Sequence, residues 1–172
     1  MKDRALELKA AALAGYAHGQ VNQRRKYTGE PHTMKIKLTN NATAPDYATP
    51  GAAGFDIAAN ETVTINPGSW ERVATGLYVA LPPDEELQIR SRSGMALRQG
   101  LVVHQGIGTI DSDYRGEIFV MMRNVGMEAR TVRCGDRIAQ GVVAKVVQVD
   151  FEVVDDLDET ERGAGGFGST GV

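Results

Sequence analysis

Five short segments combine acids, arginines, hydroxyls and glycines at spacings that could do chemistry. Asp111-Ser112-Asp113-Tyr114-Arg115-Gly116-Glu117 follows Gly106-Ile107-Gly108-Thr109-Ile110, and the turn chemistry between two strand patterns predicts a tight hairpin. A hairpin backbone holds N–H and C=O groups in fixed positions, so it can pair with a flat heterocycle as another base would. A carboxylate beside it can orient a water for attack. Taken alone, a β-turn carrying solvated acids explains this run at least as well. Ser91-Arg92-Ser93-Gly94-Met95-Ala96 follows a strand pattern and opens a helix pattern. Ser93 is the expected N-cap, the first-turn N–H groups attract phosphate, and Arg92 adds a planar cationic fork. An ordinary capped helix is the commoner meaning of one such segment.

The chain closes on Arg162-Gly163-Ala164-Gly165-Gly166-Phe167-Gly168-Ser169-Thr170-Gly171. Glycines let a backbone wrap an anion closely, Ser and Thr supply hydroxyl donors, and Arg supplies charge. Phe167 can stack on a base; a Gly-rich flexible end is the competing explanation. Asp56, within Ala53-Gly54-Phe55-Asp56-Ile57, is a lone acid in an apolar strand signal: either an edge charge or part of a metal or water site. In Gly135-Asp136-Arg137-Ile138-Ala139-Gln140 a turn runs into a strand, and Arg137 and Gln140 either serve structure or reach an anion.

The elements that must position these groups are mostly β. Lys35-Ile36-Lys37-Leu38-Thr39 and Thr62-Val63-Thr64-Ile65 alternate strictly, and apolar runs follow at Leu77–Leu81, Ile118–Met122 and Val142–Val149. Asn66-Pro67-Gly68, Pro82-Pro83-Asp84, Asn124-Val125-Gly126 and Cys134-Gly135-Asp136 supply turns between them. Many short strands so spaced predict an all-β, jelly-roll-like sandwich or barrel, with one short helix from Ser93 to before Gly100. Residues 1–33 differ: Asp3 to Ala17 is rich in helix formers, predicting a helical appendage and then a basic linker through Gln23-Arg24-Arg25-Lys26. The expected organisation is therefore an extension over 1–33, a β domain over 34–154, and an active tail over 155–172, mobile until a ligand orders it.

Composition narrows the function classes. A net charge of −3 argues against a general nucleic-acid binder, which needs surplus Lys and Arg, but not against a small polyanion met by a local Arg cluster. Cys134 is the only cysteine, so neither an internal disulfide nor a cysteine zinc site is available, and a reducing cytoplasm fits. The Ala-rich run from Ala10 to Ala17 is too short to span a membrane and makes a poor signal peptide.

Together and in order, A-G-F-D-I, S-R-S-G-M-A, G-T-I-D-S-D-Y-R-G-E, G-D-R-I-A-Q and R-G-A-G-G-F-G-S-T-G resemble the five signature motifs of the trimeric deoxyuridine triphosphatase (dUTPase) family, across roughly residues 34–172. The resemblance implies a jelly-roll homotrimer with composite sites: the third motif from one subunit, the first, second and fourth from a neighbour, and the tail from the third. It implies hydrolysis of dUTP to dUMP and pyrophosphate by water attack on the α-phosphorus. Asp111 matches the general base, and Asp56 the acid that holds a water of a Mg²⁺ ion bound by triphosphate oxygens. Arg92, Ser93, Gly94 and Gln140 match phosphate contacts. Gln105, Gly108, Ile110 and Tyr114 match the base and sugar pocket, Tyr114 lying beneath the deoxyribose where a 2′-hydroxyl would clash. Arg162, Phe167, Gly168, Ser169 and Thr170 match the closing tail, with Phe167 over uracil and Arg162 and the Ser169 and Thr170 hydroxyls at the γ-phosphate. Backbone groups that pair with uracil would be left unpaired against cytosine, which reverses both edge groups.

Two positions depart from the family pattern. Gln105 stands where many bacterial members carry a shorter amide, and Gly141 replaces a bulky apolar residue, which predicts a looser strand there. The nearest rival enzyme is a dCTP deaminase of the same fold; its catalytic Glu aligns with Met121, and a thioether cannot shuttle protons. A rival of another class is a regulatory protein that engages a protein partner on this scaffold. The retained catalytic set makes such a role an addition.

Overall fold

The computed structural model describes residues 32–39 and 41–166. The expected helical appendage, apart from the residues just before Met34, lies outside them, as do Phe167, Gly168, Ser169 and Thr170. Eleven strands form four hydrogen-bonded groups: β1 (Lys35–Leu38) with β5 (Leu77–Ala80), β10 (Arg130–Val132) with β3 (Val63–Ile65), the order β2-β11-β6-β8, and the order β4-β9-β7. Here β2 is Phe55–Ala58, β4 Trp70–Ala74, β6 Glu85–Arg90, β7 Leu101–Val103, β8 Ile107–Ile110, β9 Phe119–Asn124 and β11 Arg137–Lys145. All pairings are antiparallel. Among the described residues, the all-β architecture with one short helix is the one the turn spacing predicts. That helix, α1 (Ser93–Gln99), ends on Gly100, whose left-handed φ of 66° a glycine adopts without strain.

Alternation decides which side chains enter the core. In β6, Glu85, Leu87 and Ile89 point inward while Glu86, Gln88 and Arg90 alternate outward. Leu87, Ile65, Ile118, Met122 and Val73 are completely buried and join Ile57, Leu77, Leu101 and Ile138 in one core. The deeply buried Asn124 is tolerated because its amide is spent: Nδ2 donates to the Ile65 and Glu128 carbonyls, and Oδ1 accepts from Gly126 N–H.

Four sequence expectations need correction. Ser93 is not the N-cap; Arg92 takes that place with an extended backbone and no side-chain cap, and its carbonyl accepts from both Met95 and Ala96 N–H. The run Val142–Val149 is not strand throughout. β11 ends at Lys145 opposite Glu85, where its partner β6 begins; Val146 N–H still donates to the Asp84 carbonyl at 2.9 Å, and beyond it no described strand pairs with the run. The segment around Asp111 is not a hairpin of mutually paired strands, because β8 pairs with β6 while β9 pairs with β4 and β7. It is a turn crossing from one sheet to the other. Finally, Gly141 does not loosen β11, which pairs through it to Phe55 on one side and Ile89 on the other.

The Phe55 ring occupies the space a side chain at 141 would need: an added Cβ would stand 2.4 Å from two ring carbons. Gly141→Val should therefore destabilise the fold by about 1–3 kcal/mol. Thermal denaturation checks this, and Phe55→Leu in the same chain should recover part of the loss.

Candidate active site

Two clusters gather the sequence-predicted residues, one at each end of the four-stranded sheet. The first is built on β2, β11 and the segment after β6. Asp56 pairs across the ladder with Gln140, which pairs in turn with Arg90. In a regular strand Arg137 and Gln140, three residues apart, would face opposite sides. The register shifts between Arg137 and Ala139, so Ile138 and Ala139 both turn inward while Arg137 opposite Ala58 and Gln140 opposite Asp56 share a face. This bulge makes the cluster, and the sequence alone carries no signal of it.

Charge is concentrated there. Asp56 accepts from Arg92 Nε and Arg137 Nη1, both at 2.9 Å, and Arg92 Nη1 donates to the Arg137 carbonyl at 2.7 Å. The Asp56 side chain is 19% exposed, so these contacts are shielded more than surface pairs. Gln140 Nε2 donates to the Ser91 carbonyl at 2.9 Å, which ties β11 to the Ser91–Gly94 segment. Two arginines against one carboxylate leave a net positive face suited to an anion. Among the described residues no three His, Cys, Asp or Glu side chains converge as a cage for a bare cation.

The second cluster is a cleft of about 290 Å³ lined by Arg72, Gln105, Thr109, Ile110, Asp111, Tyr114, Glu117, Phe119 and Met121. Its wall is β8, the edge of its sheet, so one row of backbone N–H and C=O groups is taken by no described strand. Glycine matters at two places. A Cβ on Gly108 would stand 3.0 Å from Gln105 Nε2 and 3.3 Å from Ile89, crowding the wall. A Cβ on Gly116 would strike the Tyr114 hydroxyl at 2.2 Å, so glycine lets that ring fold down and donate to the Glu117 carbonyl. The Asp111 carboxylate stands at the turn, closed by Tyr114 N–H to the Asp111 carbonyl and braced by Arg115 on the Ser112 and Tyr114 carbonyls.

The structure thus brings Gln105, Ile110, Asp111 and Tyr114 together around one cleft, with Gly108 in its wall, and Asp56, Arg92 and Gln140 around one net positive face beside Ser93 and Gly94. It does not bring the two groups together within one chain. Asp111 lies one step beyond the Leu87–Ile110 row of the β6–β8 ladder, whereas Gln140 meets β6 at Arg90. That is roughly 13 Å along the strands. Arg162 bonds locally to the Gly165 carbonyl, in neither cluster. Sequence reading missed Arg72 and Phe119 as cleft residues; the β4–β9 register puts them there. Met121 does line this cleft, so the position aligned with the deaminase Glu holds a thioether beside Asp111.

Comparison with known proteins agrees with this geometry. The dUTPase family model matches residues 40–171. A deoxyuridine 5′-triphosphate nucleotidohydrolase of Roseobacter denitrificans is 55% identical over 146 residues, covering 81% of this chain and 96% of that one. The Wolinella succinogenes enzyme of the same name is 52% identical over 136 residues, covering 79% and 91%. Among solved structures, the Staphylococcus bacteriophage 80alpha dUTPase with dUPNHPP superposes with a TM-score of 0.77 at 26% identity, covering 83% of this chain and all of that one. Shared fold, ordered motifs and identity over most of both chains lead to one conclusion: this chain belongs to the dUTPase family.

Proposed function

We propose that this protein is a dUTP diphosphatase that hydrolyses dUTP to dUMP and pyrophosphate in sites shared between the subunits of a homotrimer. The observation that carries the reading is the exposed carboxylate of Asp111 at the mouth of a cleft walled by an open strand edge. Uracil sits against β8 at Gly108 and Ile110, with Gln105 beside it, and the deoxyribose lies over Tyr114. Asp111 takes a proton from a water as its oxygen bonds to the α-phosphorus; the bond from that phosphorus to the bridging oxygen breaks, and pyrophosphate leaves with its electron pair. Arg92, Ser93, Gly94 and Gln140 hold the phosphates and stabilise charge growing on the leaving group. Arg162, Phe167, Gly168, Ser169 and Thr170 close the site, excluding water other than the nucleophile.

Mg²⁺ fits this donor set in one way. With no carboxylate cage among the described residues and both Asp56 oxygens engaged by arginines, the ion would be held by the substrate's phosphates, and Asp56 would hold it only through one of its waters. When bound, it supplies charge neutralisation at the phosphate oxygens.

Two observations support the trimer. The base-side and phosphate-side clusters lie roughly 13 Å apart along the strands of one chain, a separation that favours completion of each site by a second copy. Beyond Lys145, Val147, Val149, Phe151 and Val153 alternate with polar residues and are exposed, the last two almost fully. Such an alternating, uncovered segment is a strand without its sheet, and a neighbouring subunit is the natural cover. The reaction limits uracil incorporation into DNA and supplies dUMP for dTMP synthesis. A cytoplasmic location suits it, and no nucleic acid or membrane partner is required; a regulatory protein partner would be an addition to catalysis.

A pyrophosphate-release assay across dUTP, dCTP, dTTP and UTP tests the activity. Turnover is expected with dUTP alone, falling strongly when a chelator removes Mg²⁺. Ammonia release from dCTP would favour the deaminase instead.

A further inference from the structure

We infer that Arg72 is a specificity-determining residue of the base pocket, donating to the 4-carbonyl oxygen of the pyrimidine. The inference rests on the dUTP reading and extends it to a side chain outside the five motifs. Arg72 lies on β4 opposite Met121 of β9, and its guanidinium reaches diagonally over the Phe119 ring, 4.2 Å from the centroid. All three side chains line the cleft that holds Asp111, Gln105 and Tyr114.

The other charges of the cleft are placed differently. Glu117 is occupied, its Oε1 accepting from Gly76 N–H at 2.8 Å. Arg72 makes no ion pair within 4.0 Å to Asp111, Glu117 or any other described acid, and no hydrogen bond to a described residue takes its N–H groups. Stacking on Phe119 fixes the plane of the guanidinium while leaving its edge available, which is how an arginine is preorganised for a ligand. Its position is on the base side, by Gln105 and Ile110, whereas the phosphate arginines Arg92 and Arg137 stand in the other cluster.

A guanidinium has five donors and no acceptor. At the 4-position of uracil it meets a carbonyl oxygen, which accepts. Against cytosine it meets the 4-amino group, so donor faces donor and both lose the hydrogen bonds water would have given. Arg72 therefore adds a side-chain filter to the backbone edge of β8, and this filter tells uracil from cytosine without touching the reacting phosphorus.

The test compares wild type with Arg72→Met, which keeps the length and apolar stem, and Arg72→Lys, which keeps the charge and loses the planar fork. For Arg72→Met we expect the KM for dUTP to rise about tenfold, the loss of one charge-assisted hydrogen bond. kcat should stay within about threefold, since no group at the reacting phosphorus has changed. Competitive inhibition by dCTP should not weaken, so discrimination falls by the same factor. Arg72→Lys should fall between the two. Calorimetric titration with dUMP reads the same loss without turnover, and melting temperatures report whether packing on Phe119 has suffered. An unchanged KM and discrimination in Arg72→Met would overturn the inference. So would equal weakening toward dUTP and dCTP, which would mark the stack as structural. If the wild-type protein released no pyrophosphate from dUTP, the activity itself would fail and the assignment of Arg72 with it.

Discussion

Asp111→Asn is expected to cut kcat for dUTP by about 10²–10⁴ while leaving the fold, the melting temperature and nucleotide affinity nearly unchanged. The reason is local. Asp111 is exposed at the cleft mouth, its side chain carries no ion pair to a described residue, and the turn around it is held by backbone and Arg115 contacts that an amide does not disturb. The substitution preserves shape and removes only the ability to take a proton from water. A loss confined to kcat fits a group that acts on the nucleophile. If kcat for dUTP in the Asp111→Asn protein stayed within a few-fold of wild type, the general base would have to be sought elsewhere, and the carboxylate would be reduced to a turn residue.

Activity should also reappear when two inactive chains are assembled together. Arg92→Ala removes a phosphate-side arginine and one of the two partners of Asp56, and on its own should lower turnover by at least about a hundredfold. Asp111→Asn disables the other cluster. If each site takes Asp111 from one subunit and Arg92 from a neighbour, a trimer formed at random from equal amounts of both chains has an intact combination in roughly one quarter of its sites. Co-expressed and co-purified chains, with mixed composition verified by mass, are expected to show about that fraction of wild-type turnover. Recovery near zero in verified mixed trimers would mean that one chain supplies both clusters, and the separation along the β6–β8 ladder would have to close by a conformational change. No other measurement bears so directly on the composite site.

How much of this was legible beforehand depends on whether the information is local. The start of α1 at Ser93 and its end before Gly100 follow from a strand pattern running into helix formers, with a glycine to accept the left-handed turn. The β character of the domain follows from alternation and turn residues. The motifs place Asp111, Tyr114 and Arg92 in order along the chain. Sequence reading fails where two segments distant in sequence decide the outcome. The apolar run after Val142 reads as one strand, yet the ladder ends at Lys145 opposite Glu85, and after one further bond from Val146 N–H to the Asp84 carbonyl no described strand pairs with it. Gly141 reads as a weakness, yet the Phe55 ring fills its place. The Asp111 segment reads as a hairpin, yet its flanking strands belong to different sheets.

By itself, then, the sequence supplied the chemical groups, because a carboxylate, a cationic fork and a glycine-rich loop are properties of residue type and short spacing, and the resemblance of its five ordered motifs to the dUTPase family implied the reaction. The tertiary structure decided which of those groups share a site. A one-residue bulge at Ile138 turned Arg137 and Gln140 to the face of Asp56, and an edge position left β8 with an open row of backbone groups. The register of β4 on β9 carried Arg72 into the cleft from far outside any motif. Ladder register, bulges and sheet edges arise from pairing between remote segments, and side-chain period within one segment holds no record of them.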